Sequence, residues 1–198
     1  MDELRSRFLQ AQREVTARVH AVGEAQWSEP TPDRDWSVAD LVGHLVDEQR
    51  WVAPLLHGLD LESAGMVVSG TRELPVDGGV GANLAEAWDE AVVGATDAVV
   101  APGALDRQVS LSRGSTPARD YLGEMVFDMV VHSWDLERAI GFTEPIPREL
   151  VEFAGARAEK LGDLAASGLF DAPCAAAADA PALDRLVART GRDPGWRP

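Results

Sequence analysis

The chain contains one cysteine, Cys174, one lysine, Lys160, and no apolar run long enough to span a bilayer. A lone cysteine excludes an intramolecular disulfide. Basic residues are few: 18 Lys and Arg stand against 33 Asp and Glu, a net charge of -15. Such a surface argues against nucleic-acid backbones and anionic membranes as partners. Also absent are a phosphate-cradling glycine loop, zinc-finger spacing and a Gly-x-Ser-x-Gly nucleophile motif. The start, Met1-Asp-Glu-Leu-Arg, is charged and amphipathic, without the apolar core of a signal peptide. The expected location is therefore the cytoplasm.

What is present is helical pattern. With 198 residues and 45% hydrophobic content, the chain is expected to form one domain, 1–198, with a C-terminal appendage over 147–198. Leu4, Phe8, Ala11, Val15, Val19 and Val22 form one stripe, predicting a helix over 2–22 that Gly23 ends. A second helix, 38–57, opens after Ser37 with Asp40 in capping-box position, and Pro54 lies near its end. Residues 58–81 show no sustained period and read as loop, with Met66-Val67-Val68 as a short strand at most. A third helix, 83–100, starts at Asn83 with Glu86 three residues on and turns Leu84, Trp88, Ala91, Ala95 and Val99 inward. Gln108 to Ser112 alternates as a brief extended segment would. Thr116-Pro117 reads as N-cap and first residue of a fourth helix, 117–140, apolar nearly all round. Further helices fit 147–166 and 183–188. The fold expected is all-α, an antiparallel bundle with one or two long crossovers and additional C-terminal helices.

Three residues break the apolar faces of these helices. His44 falls among Leu41, Leu45, Trp51, Val52 and Leu55. Asp128 and His132 are four apart and share a face, flanked by Met125, Val131 and Leu136. Carboxylates and imidazoles are costly in an apolar interior unless satisfied. A divalent metal would satisfy them and leave a coordination position free. Core histidines bonded to carboxylates, with no metal, would satisfy them too, and spacing does not choose between the two.

The fourth helix carries a wider acidic stripe. With Tyr121 as zero, Glu124, Asp128, His132 and Asp135 fall between about 300° and 20° on the helical wheel. Asp135 reads as the partner of Arg138 or of an Arg on a neighbouring helix, and Glu124 has a similar reading. Glu48, one turn after His44, is either a proton acceptor or the partner of an Arg such as Arg5. His20 and His57 read as surface residues, and Cys174 as an incidental thiol. Trp36, Trp51 and Trp134 flank the motifs and are expected to line a pocket.

The segment Asp35-Trp-Ser-Val-Ala-Asp-Leu-Val-Gly-His44-Leu45 resembles the second-helix motif of the DinB-like superfamily. More closely, it resembles the actinobacterial branch related to mycothiol-dependent maleylpyruvate isomerase. Asp128-Met-Val-Val-His132-Ser-Trp-Asp135-Leu resembles that branch's second motif, a carboxylate followed four residues later by His. The tail Gly191-Arg-Asp-Pro-Gly-Trp196 is similar to the ending of an uncharacterised metal-binding family of the same group. The resemblance implies a four-helix bundle with a divalent metal, zinc or nickel, held by His44, Asp128 and His132. It departs in two places. Asp128 stands where the isomerase has Glu, and the stretch after Gly141 does not match the isomerase's catalytic C-terminal domain.

The expectation is a metal-dependent S-transferase or isomerase using a low-molecular-weight thiol such as mycothiol, with Glu48 as catalytic proton acceptor. A coordinated thiol is deprotonated, which suits attack on a small electrophile. A homodimer is a compatible assembly. A metal-dependent hydrolase and a non-catalytic metal- or ligand-binding bundle are the alternatives.

Overall fold

The computed structural model describes residues 2–70, 79–168, 170–177 and 179–198. Among these residues it is all-α apart from one small hairpin. The elements are α1 (Glu3–Ala21), α2 (Val38–Leu56), α3 (Leu61–Gly70), α4 (Gly79–Val100), β1 (Gln108–Leu111), β2 (Gly114–Pro117), α5 (Ala118–Ile140), α6 (Arg148–Leu161) and α7 (Ala182–Arg189). Helix α2 packs on α4, α1 on α5, and α6 bridges α5 and α7.

The stripes explain the packing. Phe8, Ala11, Val15 and Val19 of α1 are fully buried, as are Leu41, Leu45, Val52 and Leu55 of α2. Each large apolar side chain so buried contributes about 1.5–3 kcal/mol before entropy is counted. Helix α5 is buried over most of its circumference and forms the centre. Local signals set the ends. Asp2 caps α1 by accepting from the amides of Leu4 and Arg5. Ser37 and Asp40 form a reciprocal capping box on α2. Gly141, with φ of 71°, closes α5 in the left-handed conformation that glycine adopts without a Cβ penalty. Pro54 sits inside α2, which runs on to Leu56.

Four expectations are corrected. Residues 61–70 are helix α3, neither loop nor strand. Asp60 starts it by accepting from the amide of Ser63 at 2.8 Å, and it buries Ala64 and Val68 one turn apart. Gly65 and Gly70 mask that period in the sequence, and Gly65 lies against the ring of Trp51. Helix α4 begins at Gly79, so Asn83 and Glu86 lie inside it rather than at its cap. Residues 71–78 of the expected loop lie outside the described residues. Thr116 and Pro117 end β2, which pairs antiparallel with β1, and α5 starts one residue later. Helix α6 stops at Leu161, short of 166, because Gly162 takes φ of 77°.

Among the described residues no helix is long and apolar enough to cross a membrane.

Candidate metal centre

Helices α2 and α5 bring His44, Asp128 and His132 together. One ligand-type atom from each lies within 4.8 Å of the others. His44 Nε2 is 3.5 Å from one Asp128 oxygen, and His132 Nε2 is 3.4 Å from the other. The two imidazoles meet nearly edge to face, with centroids 5.0 Å apart. Trp36, in the loop before α2, lies 5.0 Å from the His44 ring and stacks on that of His132 at 5.9 Å.

The site is ordered from behind. The carboxylate of Asp135 accepts a hydrogen bond from His132 Nδ1 at 2.9 Å. That bond places the proton on Nδ1 and leaves Nε2 facing Asp128, the arrangement by which carboxylates orient metal-ligating histidines. Asp135 is itself fully buried and is bound by Arg192, in the segment after α7. Arg138 does not reach it. The Arg138 guanidinium lies over the Trp134 ring. An Arg does hold Asp135, as the sequence allows, but it comes from the C-terminal tail rather than from a bundle helix.

The donor atoms fit a cation. His44 Nε2 and one Asp128 oxygen are buried and make no hydrogen bond, facing each other only as a long ion pair at 3.5 Å. Burying such atoms unsatisfied costs about 1–3 kcal/mol each, more for a charge. Two imidazoles and a carboxylate suit zinc, nickel and related divalent ions. Burial opposes ionisation of Asp128, but His132 and His44 override it and hold the carboxyl well below the usual range. Burial likewise opposes the charged His132 ring, but Asp128 and Asp135 outweigh it and push it up to about 10.

Glu48 lies beside this group. Burial and the Asp128 charge push its carboxyl up to about 7, against the pull of the two imidazoles. Arg5 is not its partner, because Arg5 donates to the Ala101 carbonyl at 3.1 Å. His44 and Glu48 line a cavity of about 570 Å³ that is also walled by Trp36, Asp47, Arg50 and Trp51. Trp134 does not line it, being a fully buried core residue. Glu124 is held elsewhere, by Arg113 at 2.6 Å and Arg157 at 2.9 Å. His20 is half-exposed and pairs with Asp89, His57 is exposed at the end of α2, and Cys174 is exposed with its thiol against the Gly191 carbonyl.

Two features escape sequence reasoning. Tyr121 is buried with an unpartnered hydroxyl, and burial together with the charges of Glu48, Asp128 and Glu124 raises it well above its ordinary value. The signal was there: it is the single tyrosine, two turns before Asp128 on one face. Asp33 also converges on His132 and Asp135, and no spacing rule reaches from an interhelical loop to the middle of α5.

The model of the mycothiol maleylpyruvate isomerase N-terminal domain matches residues 8–137. The chain belongs to that family. Uncharacterised proteins from two strains of Mycobacterium tuberculosis are 29% identical to it over 152 residues, covering 75% of this chain and 74% of theirs. Two crystal structures of mycothiol-dependent maleylpyruvate isomerase, one of them a mutant, share its fold. Their TM-scores are 0.59 and 0.58 at 17% and 16% identity, with 79% of this chain and 70% of theirs covered. All three candidate ligands and Glu48 lie within the matched stretch.

Proposed function

We propose that the protein is a metal-dependent S-transferase or isomerase that uses a low-molecular-weight thiol of the mycothiol class on a small electrophile. The observation that carries this reading is the convergence of His44, Asp128 and His132, with a buried nitrogen of His44 facing a buried oxygen of Asp128 at 3.5 Å and neither hydrogen-bonded, in a member of this family. His44, Asp128 and His132 would hold zinc or nickel. When bound, such an ion supplies Lewis acidity that lets a coordinated thiol ionise near neutral pH.

The chain's own residues do the rest. Asp135 fixes the His132 ring, and Trp36 packs against both imidazoles. Glu48 takes the thiol proton on a carboxylate oxygen, and its raised value near 7 suits a group that must both accept and return a proton. The cavity beside His44 holds the electrophile within reach of the sulfur, so that a carbon–sulfur bond forms. Glu48 then returns its proton to the adduct, which completes a transfer; in an isomerisation it afterwards takes a proton back from the adduct as the carbon–sulfur bond breaks and the thiolate leaves.

Metal analysis of the purified protein, followed by titration with mycothiol by calorimetry, tests the reading. The expected result is one ion per chain and saturable thiol binding that is lost with the ion. Full metal without any response to the thiol overturns the transferase and isomerase reading and leaves a hydrolase or a binding protein.

A further inference from the structure

Arg192 lies outside the helices that carry the candidate ligands, yet it is only 5% exposed. It follows α7, where Gly191 turns the chain with φ of 84° and packs tightly against Asp171. The Arg192 guanidinium is used on every side. Nε lies 3.3 and 3.4 Å from the two oxygens of Asp135, and Nη2 donates to one of them at 3.1 Å. The same Nη2 donates to Asp33, and Nη1 donates to the Thr190 carbonyl at 2.9 Å.

Those two carboxylates control the two sides of the site. Asp135 orients His132 through Nδ1. Asp33 begins the short turn that ends at Trp36, whose amide donates to the Asp33 carbonyl at 3.2 Å. Trp36 covers both imidazoles. One ligand-type atom of each of Asp33, Asp135 and His132 lies within 4.8 Å of the others, and Asp135 is the one that hydrogen-bonds the ring. A cation between the two carboxylates keeps that arrangement. A planar fork engages two carboxylates in fixed directions, which a lysine ammonium does not do.

We infer that Arg192 is a positioning residue of the metal centre. It locks Asp135 onto His132 and pins the Trp36 loop over both rings, so the segment after α7 is part of the site. The same contacts argue against a second ion among Asp33, His132 and Asp135, because the guanidinium already sits between the two carboxylates and offsets one of their charges. The inference rests on the reading that His44, Asp128 and His132 hold an ion.

The test measures zinc affinity by competition with a chromophoric chelator, with far-UV circular dichroism and urea midpoints reporting the fold. Arg192→Gln should weaken zinc about 10–100-fold, the range expected when the partner behind a metal-bound histidine is disturbed. Arg192→Lys should recover part of that loss. With Asp135→Asn already in place, Arg192→Gln should cost clearly less affinity than it does in the parent, because the carboxylate through which it acts on His132 is gone and only the Asp33 contact is left. A purely structural arginine would instead cost the same in both backgrounds. If Arg192→Gln does not fold, Arg192→Lys decides, with an affinity indistinguishable from the parent overturning the inference. A parent protein that binds no zinc overturns the metal reading and this inference with it. A parent that binds zinc, with Arg192→Gln unchanged or equally weakened in both backgrounds, overturns the inference alone.

Discussion

Asp135 and His132 stand three residues apart on α5 and meet at 2.9 Å, carboxylate to Nδ1, with neither open to solvent. That single contact sets which nitrogen of His132 faces Asp128 and His44. It also separates the acidic stripe of α5 into different jobs. Asp128 faces the imidazoles, Asp135 backs one of them, and Glu124 is occupied by two arginines.

Removing ligands should therefore be graded. Asp128→Ala and His44→Ala should each reduce metal content after dialysis to near background, while Glu124→Ala keeps it. Asp135→Asn should fall between, with affinity lowered about 10–100-fold. Elemental analysis per mole of chain checks all four. Equal losses at Asp128 and Glu124 would mean that the stripe acts as a general acidic sink.

Metal binding should release a proton. In the metal-free protein His132 is pushed up to about 10, because Asp128 and Asp135 outweigh the cost of burying its charge. A raised histidine contributes stability that is full below its unfolded value of about 6.5 and lost as pH climbs through about 10. The ion needs the neutral ring, so the proton competes and affinity should rise with pH over that window. Calorimetry in buffers of different ionisation enthalpy should count one proton from His132 at pH 7, plus a fraction of one from Glu48, which burial and Asp128 hold at about 7. A count of zero would argue that His132 is not a ligand.

Glu48→Gln should separate chemistry from metal binding. The carboxamide keeps size and polarity but cannot accept the thiol proton. Turnover of thiol and electrophile should drop about 10²–10⁴-fold, with zinc affinity within about threefold of the parent. An unchanged rate would remove Glu48 from the mechanism.

Arg18→Ala should unfold the protein early without touching the site. Arg18 is fully buried in α1, bonded to Glu14, to Glu137 and to the Glu144 carbonyl, and it lies on the Phe142 ring. Its loss strands two partly buried carboxylates, at a cost of about 2–4 kcal/mol. The urea midpoint should fall accordingly, while metal affinity at low urea stays within about twofold.

Much of the bundle is legible because α1, α2 and α5 bury faces that repeat at the helical period, and because Ser37, Asp40 and Gly141 mark helix ends. Helix α3 is not, since Gly58, Gly65 and Gly70 interrupt a stripe that reduces to Ala64 and Val68. The convergence of His44 with Asp128 and His132 follows from apolar faces that must meet. Arg192 and Asp33 are invisible in that logic. Both lie in irregular segments, and only tertiary packing brings them to α5 from 57 residues away in one case and joins them to each other across 159 in the other. Arg18 is hidden for a related reason: an arginine within a helix reads as solvated until its partners on distant elements are known.

Trp36 gives the site its own optical readout. An indole stacked on one imidazole and within 5.0 Å of the other sits where a change in ring charge alters its excited state. Protonated imidazole quenches indole emission, so fluorescence should brighten or dim as those rings gain or lose charge. Five other tryptophans contribute background. The difference between the parent and Trp36→Phe isolates the one that watches the histidines, and it allows arrival of an ion to be timed in stopped flow without any added dye.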